Sequence, residues 1–243
     1  MSDFRYYRPS NFPPVVKNLI IINVLVFVGQ LTIDHLTERF MLYPIMPGTL
    51  HSLLVEKNYL DEYQKFQPYQ VFTHMFSHSP SMFAHILFNM FALWMFGRVL
   101  ENVWGPKRFL FFYLASGIGA AALHLAMQYL RCEQLMQDIA AGNPVTPERI
   151  FGSVAPALGA SGAIMGLFAA FAFLFPNTEL IFLFIPFPIK AKWMVLIMVG
   201  LDLFGGFSNT SGDNVAHFAH LGGAITGFII VFIWNKTNRK TLY

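Results

Sequence analysis

The chain has 243 residues, of which 55% are hydrophobic and only 12% charged. Soluble domains carry about 25% charged residues. Half that share, with 27 Phe and 12 Met, excludes an ordinary soluble globule, and equally a disordered chain, which is charged and poor in aromatics. The 16 basic and 13 acidic residues leave a net charge of +3; the basic ones form no run or helical stripe, so no nucleic-acid partner is implied. One Cys excludes a disulfide scaffold and a multi-thiolate metal site. An all-α polytopic membrane protein remains.

A helix needs about 20 mostly apolar residues to cross the hydrocarbon of a bilayer. Residues 17–36 are the first such run. Arg5, Arg8 and Lys17 lead into it as they would into a signal peptide, but no small-residue cleavage site follows, so it reads as a retained helix behind a short N-terminal segment, 1–16. Residues 37–80 are mixed, with Pro44, Pro47 and Pro68 among charges and aromatics. They are expected to lie partly in the membrane interface as short amphipathic helices. The second, third and fourth spans fall at about 81–101, 108–130 and 157–175, with a polar loop over 131–152. In 179–189, Pro186 and Pro188 rule out one straight helix, and a half-buried return loop is expected. The fifth span runs from about 192 to 207 and the sixth from about 215 to 234, leaving a tail at 236–243.

With six spans and both termini inside, 11 Lys and Arg fall in inside segments and 5 outside. This bias puts the termini in the cytoplasm and the two long loops outside.

Polar groups inside spans must find partners or cost several kcal/mol, so they mark function. His85 and Asn89 share a face of the second span, and His217 and His220 share a face of the sixth. Gly223 and Gly227 continue the latter face, and Gly162 and Gly166 offer a matching one on the fourth span. Small residues let helix backbones approach closely. The layout therefore permits the fourth and sixth helices to pack tightly, with Ser161 near a histidine of the sixth. Serine needs an adjacent base to act as a nucleophile, and histidine supplies one near neutral pH. Backbone amides at a helix start, together with His85 and Asn89, could serve a developing oxyanion. No carboxylate is close to either histidine in sequence; Asp202 is the nearest intramembrane candidate for a third member. On residues alone, a serine hydrolase stands beside a transporter site, which polar groups and Pro-broken helices also mark, a metal site from His85, His217 and His220, and plain helix packing. No His-Glu-x-x-His metalloprotease helix occurs.

Three strings occur in order: His85-x-x-x-Asn89, Gly159-Ala160-Ser161-Gly162 and Ala219-His220-x-x-Gly223-x-x-x-Gly227. In order, span number and spacing they resemble the rhomboid family of intramembrane serine proteases, in its bacterial six-helix form, from about Tyr69 to Thr237. The resemblance implies a six-transmembrane-helix bundle with Ser161 as nucleophile and His220 as general base, a dyad rather than a triad. His85, Asn89 and the Ser161 amide would form the oxyanion hole, with Gly159, Gly162, Gly223 and Gly227 as structural support. His217 lacks the glycine at the matching offset and is not assigned catalysis. Glu101 matches a family glutamate expected to tie the second helix to the first loop or its neighbours. Tyr69-Gln70 stands where the family often has Trp-Arg. The resemblance further implies transmembrane protein substrates, a lipid bilayer environment in a bacterial inner membrane, an active site open to the outer face, and no metal or organic cofactor. Substrate entry would pass the fifth helix and the loop from Ser208 to Asn214. A catalytically inactive relative would lack Ser161 or His220, and both are present.

Overall fold

A computed structural model describes residues 9–182, 185–208 and 217–237. Arg5, Arg8, Arg239, Lys240, the first two residues of the expected sixth span and most of the expected entry loop (209–214) lie outside the described residues. The described chain forms α1 (Pro14–Thr32), α2 (Leu36–Phe40), α3 (Gly48–Glu56), α4 (Gln70–Thr73), a 3₁₀ turn (His74–Phe76), α5 (Phe83–Trp104), α6 (Pro106–Ala140), α7 (Pro147–Val154), α8 (Ser161–Leu174), β1 (Glu179–Phe182), β2 (Ile185–Lys190), α9 (Ala191–Ser208) and α10 (His217–Thr237).

The long helices form where apolar runs must satisfy every backbone donor and acceptor within the segment. α1, α5, α6 and α10 are each long and apolar enough to cross a membrane. α5 stops at Gly105, whose φ of +79° suits glycine, and Pro106 opens α6 at a position where no amide is required. α8 is the central helix: every residue from Gly162 to Phe171 is buried, and α5, α6, α9 and α10 pack around it. Aromatic side chains fill the core beside it, Phe96 lying edge-on to both Phe168 and Phe171. On the outside the order inverts. Leu25, Phe83, Phe204 and Phe207 are each at least 66% exposed. Such a surface is wrong for water and right for hydrocarbon chains. The protein is a largely membrane-spanning helical bundle.

Glu101 is 2% exposed. Its two carboxylate oxygens accept the amides of Val15 (3.0 Å) and Val16 (2.8 Å) in the first turn of α1. The expected tie is therefore made to the neighbouring helix rather than to the first loop. An anion there also meets the positive end of the helix dipole.

Three sequence expectations are corrected. Residues 131–152 are not a polar loop: α6 continues to Ala140, and α7 follows after a turn. Cys132 and Leu135 pack with Ile150 and Val154 of α7 and with Leu50 and Leu54 of α3, a second small apolar core. Thr146 caps α7 by accepting the Arg149 amide, and Arg149 pairs with Asp138. Residues 179–189 do return the chain, but as an antiparallel hairpin that pairs Glu179 with Lys190 and Leu180 with Ile189 and is more exposed than the half-buried loop expected; it is a small addition to an all-α bundle. A two-stranded hairpin has only outer edges, and prolines are tolerated there. The fourth helix is shorter than 157–175 and begins at Ser161, because Ala157 bridges to Leu42 instead.

Candidate active site

The approach to Ser161 is set by backbone. Gly159 has a φ of +118°, and its amide donates to the carbonyl of His74 (2.9 Å). A Cβ at Gly159 would sit 2.8 Å from His85 Nε2. Glycine is thus required twice over, for its conformation and for the close approach of the imidazole. Ser161 is the first residue of α8, and the first α8-range carbonyl bond is Ile164 to Ala160. The amides of Ser161, Gly162 and Ala163 precede it and have no acceptor within the helix.

α8 and α10 meet through glycines. A Cβ on Gly223 would overlap the carbonyl of Gly162, and one on Gly227 would lie 2.6 Å from Gly166 Cα. On its other side α10 presses on α6, where a Cβ on Gly222 would fall 3.0 Å from Ala120 Cα; Gly222 was not singled out by sequence reasoning, although it adjoins Gly223. The small faces expected to interlock do so. They bring His220 Nε2 to 2.8 Å from Ser161 Oγ. Both residues are half-buried, and the His220 side chain is 19% exposed, withdrawn from bulk solvent yet reachable by water.

His85 Nδ1 accepts the Ser79 amide at 3.3 Å, so in its neutral form Nε2 carries the proton, on the side facing Gly159. Its ring stacks edge-on against His78 at 5.1 Å. Asn89 is buried one turn further along α5, and its amide donates to the His85 carbonyl at 2.8 Å. Of the two expected oxyanion donors, His85 is directed at the serine end of α8, while Asn89 is bonded to its own helix.

Asp202 is brought into the site by α9. Its Oδ1 lies 3.0 Å from His220 Nδ1 and 2.8 Å from His217 Nδ1. The sequence signal was an acidic residue in an apolar run, but its partners stand 15 and 18 positions away. Among the described residues no group of His, Cys, Asp or Glu is arranged to hold a metal ion; His217 and His220 both turn Nδ1 toward Asp202 instead.

The first loop buttresses the site. Gln70, 2% exposed, accepts the amide of Gln67 (2.9 Å) through Oε1, and Thr73 Oγ1 donates to Phe40 O (3.1 Å). Gln70 therefore staples the loop, whereas Tyr69 is 50% exposed. Gln30 at the end of α1 donates to Ser77 Oγ (2.8 Å) and accepts the His78 amide (2.9 Å). Burial pushes His74 down to about 4 and His78 down to about 3, so both loop histidines are neutral in neutral solution.

These features define a class: a membrane-embedded helical bundle carrying a hydrogen-bonded serine–histidine pair between two glycine-packed helices. The Rhomboid domain family matches residues 65–237, most of the chain, and the chain belongs to that family. It is 30% identical over 165 residues to "Rhomboid protein 1, mitochondrial" of Saccharomyces cerevisiae, covering 68% of this chain and 41% of the relative. It is 29% identical over 220 residues to "RHOMBOID-like protein 12, mitochondrial" of Arabidopsis thaliana, covering 88% and 56%. It is 32% identical over 146 residues to "Rhomboid protease GluP" of Bacillus subtilis, covering 60% and 22%. The chain thus spans between about a fifth and just over a half of these relatives' lengths.

Proposed function

We propose that this protein is an intramembrane serine endopeptidase that hydrolyses a peptide bond in or near a transmembrane segment of membrane-protein substrates. The observation that carries this is the 2.8 Å contact between Ser161 Oγ and His220 Nε2, in a member of a family with a named protease among its relatives.

In the proposed reaction His220 Nε2 takes the Ser161 proton as Oγ attacks the scissile carbonyl carbon. The tetrahedral oxyanion is met by His85 Nε2–H, the Ser161 amide and the Asn89 amide once it leaves the His85 carbonyl. The intermediate collapses with cleavage of the C–N bond, and the imidazolium returns its proton to the leaving amine. Water, deprotonated by the same imidazole, then attacks the acyl-serine; the acyl C–O bond breaks, the imidazolium returns its proton to Ser161 Oγ, and the carboxyl product leaves with the dyad restored. A substrate helix must unwind locally to offer its carbonyl, so helix-weakening residues with small side chains are expected around the cleaved bond.

In this reading α1, α5, α6, α8, α9 and α10 are the six spans of the protease domain expected at 17–235, with α1 starting at Pro14 and α10 ending at Thr237, and the segments on either side, expected at 1–16 and 236–243, are cytoplasmic. The excess of Lys and Arg in the inside segments supports that orientation. The site opens to the outer face of a bacterial inner membrane. α8 has 14 residues and is about 21 Å long, less than the roughly 30 Å of hydrocarbon, which supports a serine recessed below that face.

The test is turnover of a fluorogenic transmembrane peptide by the detergent-purified protein. Ser161→Ala and His220→Ala should each abolish cleavage, and equal turnover in all three proteins removes the dyad.

A further inference from the structure

Asp202 and Gly205 are one turn apart on α9, and His217 and His220 are one turn apart on α10. The two pairs interlock. Gly205 admits the His217 ring, which a Cβ there would overlap. Asp202, with a side chain 9% exposed, sets Oδ1 against both histidines. A carboxylate can only accept, so the His220 nitrogen facing it, Nδ1, must carry the proton. In neutral imidazole the other nitrogen is then the acceptor, and that nitrogen faces the Ser161 hydroxyl at 2.8 Å. Among the described residues, the titratable groups at His220 are therefore Ser161 from α8 and Asp202 from α9, with His217 of its own helix on the same carboxylate oxygen.

Building on the protease reading, we infer that Asp202 is a positioning residue that fixes His220 in its Nδ1–H tautomer and orientation, so that this chain aligns a Ser161–His220–Asp202 line across three helices in place of a bare dyad. His217 holds the same carboxylate oxygen, Oδ1, through its own Nδ1. When Nε2 takes the serine proton, the imidazolium faces an existing negative charge. Asp202 takes up no proton at any step, and the starting tautomer returns when Nε2 protonates the leaving amine.

The test compares wild type, Ser161→Ala, Asp202→Asn and Asp202→Glu with the fluorogenic transmembrane peptide. An Asn amide facing Nδ1 favours the opposite tautomer, so Asp202→Asn should lower kcat about 10²-fold or more with KM within about threefold. Asp202→Glu, which restores the acceptor, should recover about tenfold over Asn. A role confined to packing would move the thermal midpoint and not this split. If wild type is active, Ser161→Ala is dead and Asp202→Asn stays within about threefold of wild type, the inference is overturned while the protease reading stands. If Ser161→Ala matches wild type, the protease reading itself falls, and this inference with it. Should Asp202→Asn not fold, nitrogen NMR of histidine-labelled wild type decides, with the His220 signals assigned by their loss in His220→Ala. A proton on Nδ1 supports the inference and a proton on Nε2 overturns it.

Discussion

Substitution of Gly227 tests whether helix packing sets the chemistry. A methyl group there would lie 2.6 Å from Gly166 Cα and 2.7 Å from Gly166 O. Ordinary carbon contacts begin near 3.4 Å, so α10 must retreat from α8 by about 0.8 Å. Overpacking of this kind costs about 1–3 kcal/mol, and for a chain of this size 2 kcal/mol lowers the thermal midpoint by about 4–8 °C. Carried along the helix, the same displacement opens the 2.8 Å Ser161–His220 contact to about 3.6 Å, past useful hydrogen bonding. Misplacement by about 1 Å can cost 10²-fold in rate. Gly227→Ala should therefore lower kcat by about 10- to 10²-fold. Gly223→Ala, whose methyl group meets the carbonyl of Gly162 beside the serine, should lower it further. Gly200→Ala is the matched control, because nothing lies within 4 Å of its added carbon. The assay is peptide cleavage in detergent beside thermal unfolding of each variant. Gly227→Ala with wild-type turnover and an unshifted midpoint would refute the link between glycine packing and dyad geometry.

Other expectations follow from the site and its supports. His85→Ala should cut kcat by about 10²- to 10³-fold, the scale of one lost oxyanion donor; Asn89→Ala should cost only about tenfold, since its amide gives up a bond to the His85 carbonyl to serve, and equal losses would contradict that difference. Glu101→Gln replaces one of two charged acceptors at α1 by a donor and should cost about 2–4 kcal/mol, read as a fall in unfolding midpoint with little change in KM. Acid should destabilise the fold through His74 and His78: their folded values lie near 4 and 3, so below about pH 6.5 the unfolded chain takes up protons that the folded chain refuses. Stability is full above that pH and falls as pH drops; at pH 5.5 each site should cost about 1.4 kcal/mol. His78→Asn should flatten the midpoint-versus-pH slope, and an unchanged slope would remove His78 from this account.

The apolar runs of α1, α5, α6, α8, α9 and α10 were legible because hydrocarbon demands long uncharged segments, and the Ser161–His220 pairing was legible because small residues mark where two backbones can meet. Asp202 could be noticed but not assigned, since its partners lie across a tertiary contact that periodicity does not encode. The α6 extension did carry a signal: Cys132, Leu135, Met136 and Ile139 repeat at helical spacing, masked by intervening polar residues. The hairpin at 179–190 was harder to see, because prolines argue only against helix, and strand pairing is chosen by a partner rather than by local preference.

α6 runs for 35 residues, about 52 Å, well beyond a bilayer's hydrocarbon. Its far end carries the cluster of Leu50, Leu54, Leu135, Ile150 and Val154, held together by the ordinary aversion of oily groups to water. The molecule therefore answers to two solvents. Urea acts on the capping cluster as it would on a small soluble domain, while bilayer thickness and acyl-chain order act on the bundle, and α6 is the continuous strut through which a disturbance in one medium reaches the other.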